Sequence, residues 1–293
     1  MLKIGCILVL YNPDINLLHK VICSIENQIE KIYIIDNSSN NIDDSSILEN
    51  NKIKLTVLKK NIGIAAAQNI GLKYFSEQNF DYIMFVDQDS ILPLDLVGNL
   101  VNSSILLINN GYKVGVICPI SINRQDGKPY KEKYPVYDSF SLNLSGKKYD
   151  FNKVNSCGSS ASLISLENFR NVGFMDSRLF IDGVDNEWCW RAKDKCDLDS
   201  FILRNIGIDH QLGEGDASIF GIKVAISSPF RIYYQFRNYL LLCRRNYVPI
   251  EWKIKNGYKY FIKLFYFPLF ISPRVKYLNN IFKGIKDGIT FKE

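Results

Sequence analysis

The chain has 293 residues and a mass of 33.7 kDa, with 47% hydrophobic and 23% charged residues and a mean hydropathy of −0.06. That composition builds a packed core and excludes a disordered chain, and no apolar run reaches the roughly 18 residues of a spanning helix. The net charge of +6 is uneven: residues 230–293 carry 13 Lys and Arg against 3 Asp and Glu, together with 17 aromatics, so a basic tail follows an acidic-leaning body.

The short apolar start Met1–Leu10, ended by Asn12-Pro13-Asp14, does not read as a signal peptide, which places the chain in the cytoplasm. Seven cysteines without paired spacing read as reduced thiols rather than as a disulfide framework or a zinc site. Lys3–Leu10 reads as a buried strand ended by a turn, and Asp14 caps a helix to about Gln28. Lys31–Ile35 is a second strand, stopped by Asp36-Asn37-Ser38-Ser39, and Lys52–Leu58 alternates like a half-buried third. Ile62–Ser76 reads as an alanine-rich helix, and Tyr82–Val86 as a buried strand ending in Asp87-Gln88-Asp89-Ser90. Pro93 opens a helix to about Asn109, and Val114–Pro119 is a further strand. Residues 121–152 are polar and read as a loop or hairpin insertion. Val154–Ile164 reads as a strand with a bend, Asp185–Lys195 as a short helix, Ser200–Leu203 as a strand, and the chain from Phe230 onward as helical.

Strands alternating with helices imply an α/β fold with a mostly parallel sheet covered on both faces, and ligands bind such sheets at the C-terminal ends of their strands. Neither the G-x-G-x-x-G fingerprint nor the G-x-x-x-x-G-K-[ST] loop is present, which disfavours a nicotinamide dehydrogenase and a P-loop NTPase. Three constellations carry chemistry. Asp87 and Asp89, two carboxylates at i and i+2 in a turn after a strand, suit a hard divalent cation, although a bare D-x-D is also a common solvated loop. Asp185 opens a helix, where a carboxylate serves either as general base toward a hydroxyl or as an N-terminal cap. His210 follows a strand and reads either as a metal ligand or as a hydrogen-bonded structural histidine.

Taken in order, several segments carry a resemblance. They are Leu8–Pro13, Ile35–Ser39, Asn61–Gly71, Phe85–Ser90, Phe180–Ala192 and His210–Gly213. On these the chain resembles the family-2 glycosyltransferases, and the D-Q-D-S and F-I-D-x-V-D-x-E-W forms look like the bacterial rhamnosyltransferase branch. The resemblance implies a GT-A fold and inverting, Mg2+- or Mn2+-dependent transfer from a nucleotide sugar. The donor it implies is dTDP-L-rhamnose, with a glycan or lipid-linked glycan as acceptor in O-antigen or capsule synthesis. Position by position, it puts Tyr11 on the base, Asp36 at the base edge, and Asn37, Asn61 and Asn69 around the nucleotide. Gln68 stands where many relatives have an arginine, which shifts weight to the metal. Asp87 would lie near the ribose and the metal, Asp89 and His210 would be ligands, and Asp185 the general base. Glu187, Trp188 and Arg191 would line the acceptor and donor-sugar side. Another nucleotide sugar (UDP-galactofuranose or a UDP-hexosamine) and a non-catalytic binding module are the competing readings. Gln211 is followed by Leu-Gly-Glu-Gly instead of the Q-x-x-R-W of processive relatives, which points to a single addition.

Residues 1–229 thus form the catalytic domain and 230–293 a helical, basic and aromatic extension. On a helix over 254–265, Ile254, Tyr258, Phe261 and Phe265 share one face and Lys255, Lys259 and Lys263 another. That pattern fits an anionic membrane surface, or aromatics packed on the catalytic body or on a second subunit with the lysines solvated. Nucleic acid is not the expected partner, because no nucleic-acid motif accompanies the basic tail.

Overall fold

The structure, a computed structural model, describes residues 2–38, 50–123, 127–130, 135–210, 216–219 and 222–292, with the backbone alone at 210, 216–219 and 222–225. Its first half alternates strands and helices. They are β1 (Ile4–Leu10), α1 (Ile15–Glu26), β2 (Lys31–Asp36), β3 (Ile53–Val57), α2 (Ile64–Ser76), β4 (Tyr82–Asp87), α3 (Leu96–Asn109) and β5 (Val114–Asn123). There follow β6 (Val136–Leu144), β7 (Lys147–Val154), β8 (Ser162–Ser165), α4 (Leu166–Val172), α5 (Val184–Cys196), β9 (Asp199–His210) and a small hairpin, β10 (Asp216–Ile219) with β11 (Ile222–Ala225). Three helices end the chain: α6 (Pro229–Cys243), α7 (Ile250–Phe270) and α8 (Arg274–Thr290).

The nine-stranded main sheet has the order β3-β2-β1-β4-β8-β5-β9-β7-β6. β1, β2, β3 and β4 are parallel, as are β5 and β9, whereas β8 lies antiparallel between β4 and β5. The alternation of β1 explains the layers, because successive side chains of a strand point to opposite faces. Cys6, Leu8 and Leu10 pack with Leu18, Val21 and Ile25 of α1 and with Leu96 and Leu100 of α3. Ile7 packs on the other face with Leu72 and Phe75 of α2, Phe169 of α4 and Trp188 of α5. Asp14 caps α1 as expected, accepting the Leu17 N–H.

Two segments differ from the sequence reading, and for residues 121–152 the structure takes the hairpin of the two readings. The polar stretch after β5 contains the strand pair β6–β7, joined by Ser145 and Gly146, both at positive φ (51° and 81°); two left-handed residues make a tight hairpin turn. The bent strand of 154–164 is instead an irregular segment followed by the short β8. β9 runs on to His210 past a register shift opposite Pro119 and Ile120.

The helical tail packs on the body rather than standing apart from it. Asn238 of α6 donates from Nδ2 to the carbonyls of Leu179, Ile181 and Asp182 at 2.7, 2.5 and 2.9 Å. α6 and α8 pack along their length where Gly284 and Gly288 face the α6 backbone, and a cluster of Ile232, Phe236, Phe267, Tyr277 and Ile281 joins the three helices. Among the described residues no helix is long and apolar enough to cross a membrane.

Lys263 departs from the face expected for it. It turns inward and donates from Nζ to Gln235 Oε1 at 2.7 Å. Burial pushes its pKa down to about 8; the charge of Asp182 works against this, and Lys259 and Arg231 add to it. With a folded-state pKa below its ordinary 10.5, the unfolded chain binds more protons between the two values, so stability rises with pH across that window. Below pH 8 the whole cost is present. Lys263→Met is therefore expected to stabilise the fold at pH 7, by on the order of 2 kcal/mol after loss of the Gln235 hydrogen bond, and to flatten the rise above pH 8. Thermal melts of both proteins across pH 6–10 check this, and an unchanged slope would refute it.

Candidate active site

β1, β2 and β4 are adjacent and parallel, so their C-terminal ends open at one edge of the sheet. Leu10 pairs with Asp36, and Val9 with Asp87. Beyond these ends the chain turns sharply, and the turns hold one another. The Tyr11 N–H donates to Gln88 Oε1 at 2.8 Å, and Gln88 Nε2 donates back to the Tyr11 carbonyl at 3.2 Å. Asp36 Oδ1 accepts the Ser38 N–H at 2.9 Å, and Ser38 Oγ accepts the Asn12 N–H at 2.8 Å. Asn37 Nδ2 donates to Asn61 Oδ1 at 2.9 Å and Asn37 Oδ1 accepts the Ile62 N–H at 2.8 Å. Asp87 accepts the Ser90 N–H on its carbonyl at 3.1 Å, closing the tight turn that splays Asp87 and Asp89.

Of the residues the resemblance places around a nucleotide, Tyr11 is half-exposed and Asn61 and Asp87 are partly exposed at this edge. Others are placed differently. Asp36 and Asn37 are buried and brace the turn they stand in. Gln68 is buried, and its Oε1 has no hydrogen-bond partner among the described residues. Asn69 bonds both ways with Met175, Nδ2 to the carbonyl and Oδ1 from the N–H, each at 2.9 Å. It therefore ties α2 to the segment before α5.

That tie matters for Asp185. The Ile64 N–H donates to the Phe180 carbonyl at 2.7 Å. Gly63, at φ +88°, is the only kind of residue that fits there, since a Cβ would stand 2.6 Å from the Phe180 ring. Phe180 and Asp182 themselves sit at φ 63° and 61°, conformations that cost free energy unless the surroundings fix them. Asn238 holds the carbonyls of Leu179, Ile181 and Asp182 on either side of these positions, and Arg231 grips the Asp182 carboxylate with Nε and Nη2 at 2.7–3.1 Å.

α5 then runs back along β9, and Asp199 begins β9 three residues after the helix ends. Its 13 residues span about 20 Å, which sets its N-terminus toward the C-terminal edge of the sheet. The N-cap is Gly183, with no side-chain bond, so Asp185 is not the cap; it lies in the first turn, partly exposed. The positive end of the helix dipole favours an ionised carboxylate there.

Glu187, Trp188 and Arg191 do not line this edge. Trp188 is buried against Phe169 and donates from Nε1 to the Gly173 carbonyl at 2.9 Å. Arg191 donates to both oxygens of Glu187 at 2.7 and 3.0 Å and to the carbonyls of Val172 and Phe174 at 2.8 Å. Glu187 also accepts the Tyr247 hydroxyl at 2.7 Å and lies 3.3 Å from Arg245. Arg245 in turn meets Asp176 at 2.5 Å. Burial alone would raise the Asp176 carboxyl, but the hydrogen bonds from Arg178 and the charge of Arg245 outweigh it and hold the pKa low. This buried network joins α5, the segment before it and the end of α6. The sequence motif contains Glu187, Trp188 and Arg191 but not their partners Asp176, Arg245 and Tyr247, and periodicity cannot tell an inward α5 face from a ligand-lining one. Gln88 likewise has a bracing role that only its contacts disclose.

The donor chemistry of the edge fits a hard divalent cation: Asp87 and Asp89 present carboxylate oxygens, partly exposed, in one turn. An isolated bridge pairs Ile91 with Asp209, which carries the backbone at His210 alongside that turn. The side chain of His210, and Ser39 and Gln211–Gly213, lie outside the described residues. Among the described residues no three His, Cys, Asp or Glu side chains converge.

Residues 6–173 match the model of "Glycosyl transferase family 2". The chain is 34% identical over 259 residues to the dTDP-rhamnosyl transferase RfbF of Shigella flexneri, covering 87% of this chain and 84% of that protein. Among solved structures it is similar to S. aureus TarS, with a TM-score of 0.58 and 13% identity, covering 97% of this chain but only 49% of that one, about half its length. TarS 1–349 in complex with UDP-GlcNAc gives a TM-score of 0.58 at 14% identity, covering 98% of this chain and 82% of that one. GalNAc-T7 with UDP, GalNAc and Mn2+ gives 0.54 at 14% identity, covering 92% and 57%. The mostly parallel sheet with its helices is thus the fold of these enzymes, GT-A, and the chain belongs to glycosyltransferase family 2.

Proposed function

We propose that the protein transfers rhamnose from dTDP-L-rhamnose, with inversion, to a hydroxyl of a glycan or lipid-linked glycan acceptor, on the cytoplasmic side, in the assembly of a surface polysaccharide. The observation that supports this donor is the similarity to a dTDP-rhamnosyl transferase over 87% of the chain.

Tyr11 and Asn61, at the ends of β1 and before α2, receive the nucleotide; the braced turns around Asp36 and Asn37 fix where they stand. Asp185 takes the proton of the acceptor hydroxyl as that oxygen attacks the anomeric carbon, from the face opposite the departing nucleoside diphosphate. No covalent intermediate on the protein is required. Asp87, Asp89 and His210 would hold Mg2+ or Mn2+. When bound, such an ion supplies Lewis-acid stabilisation of charge on the leaving diphosphate. Gln68 in place of a cation leaves the protein with less positive charge toward that diphosphate.

Ligands that bind only the folded state raise its stability, by about 2.7 kcal/mol at a hundredfold excess over Kd. Thermal melts against dTDP-rhamnose and UDP-sugars, with Mg2+, Mn2+ or EDTA, are expected to give the largest shift with dTDP-rhamnose and metal, and to lose it with EDTA. A larger shift with a UDP-sugar would replace the donor, and an EDTA-insensitive shift would remove the metal.

A further inference from the structure

We propose that α7 is a docking face for an anionic lipid bilayer, on which the protein lies with this helix in the interface. Ile250, Ile254, Tyr258, Phe261, Phe265 and Leu269 recur at spacings of three and four residues, and each is 53–69% exposed. On a helix they form one stripe about 100° wide. The opposite side of α7 is occupied: Tyr260 and Phe267 pack against α6 and α8. Half of the 22 large hydrophobic side chains exposed among the described residues lie on α7 and α8. A contiguous apolar surface of this kind on a folded protein marks an interaction site.

Charge identifies the occupant. Lys255 and Lys259 are exposed and stand one step around the helix from the stripe, with Glu251 the sole acidic residue of α7. α8 repeats the design, with Val275, Leu278, Phe282 and Ile289 exposed and Lys283 and Lys286 beside them. An apolar, aromatic stripe edged by lysines is the pattern of a helix lying at a lipid surface, with rings in the acyl boundary and ammonium groups at the headgroups. A second copy of the chain fits less well. A twofold contact sets a patch against itself, which would bring the lysine rows of both copies together with little acidic charge to offset them. The proposal assumes no donor or acceptor, so it and the transfer reading stand or fall separately.

The test is co-sedimentation of the full chain with phosphatidylcholine vesicles, with and without one-third phosphatidylglycerol, across a salt series. Binding is expected with the anionic vesicles at low salt and to weaken as salt rises. Lys255→Gln with Lys259→Gln should lower partitioning about 25-fold, at about fivefold per lysine. Phe261→Ser with Phe265→Ser should lower it at least about tenfold, with melting temperature and donor-induced shift unchanged. Absence of binding by the unaltered protein, or variants that sediment as it does, would overturn the proposal. So would a dimer in light scattering that the phenylalanine variant splits into monomers, since the stripe would then belong to a second copy.

Discussion

Asp185→Asn is expected to lower kcat for transfer by about 10²–10⁴-fold while leaving the donor-induced thermal shift intact. The substitution preserves size and hydrogen-bonding shape but removes the ability to accept a proton. Asp185 sits in the first turn of α5, behind a glycine N-cap, so the change removes no cap. The lost attraction between a carboxylate and the helix N-terminus is about 0.3–1 kcal/mol, too little to unfold the chain. The effect should therefore fall on kcat, with KM for the donor little altered. Measuring both parameters with a soluble acceptor separates the outcomes. Turnover within a few-fold of the unaltered enzyme would take the proton-acceptor role away from Asp185. Loss of the donor shift would make it a donor-binding residue instead.

Arg245→Met is expected to cost about 3–5 kcal/mol of stability, the largest single effect outside the reacting groups. The arginine side chain is only 4% exposed and stands between Asp176 and Glu187, themselves nearly buried. Methionine fills much of the volume but leaves two carboxylates with less positive charge beside them. The Arg178 and Arg191 contacts offset part of that loss, so neither carboxylate is abandoned entirely. Chemical denaturation of the variant gives the number. Adding Asp176→Asn to Arg245→Met should recover a measurable part, because the uncompensated charge is then removed. A loss below 1 kcal/mol, with no recovery in the double variant, would show that the network contributes little. Because the same network anchors α5, kcat is expected to fall alongside stability, whereas Lys263→Met should leave kcat alone.

The fold was legible where a single periodicity dominates. β1, β2 and β4 are buried on both faces and read as continuous apolar runs, and α1 combines an apolar face with a capping aspartate. β6 was legible only as half of a hairpin weighed against a loop, and its bounds were not, because as an edge strand it is exposed on nearly every residue and carries no alternation. β8 is four residues long, too short for any period, and its antiparallel placement depends on β4 and β5. In α7, the helix and its apolar stripe were readable. The inward turn of Lys263 was not, since 40° of rotation separates it from the exposed Lys259 and only packing on α6 says which side is closed.

The sequence by itself determined the order of strands and helices, the polar turns at the strand ends and the carboxylates they carry, because local propensity and spacing suffice for these. It also determined the family, through motifs whose order is more specific than any one of them. Only the tertiary structure decided which motif residues face the open edge and which brace it. Asn69 stands in the Asn61–Gly71 motif and Trp188 and Arg191 in the motif of Asp185, yet their partners lie on α4 and on the segment that follows it. The physical reason is that a buried polar group must be paired, and its partner comes from wherever the chain happens to pass. That information is long-range, and no window of sequence contains it.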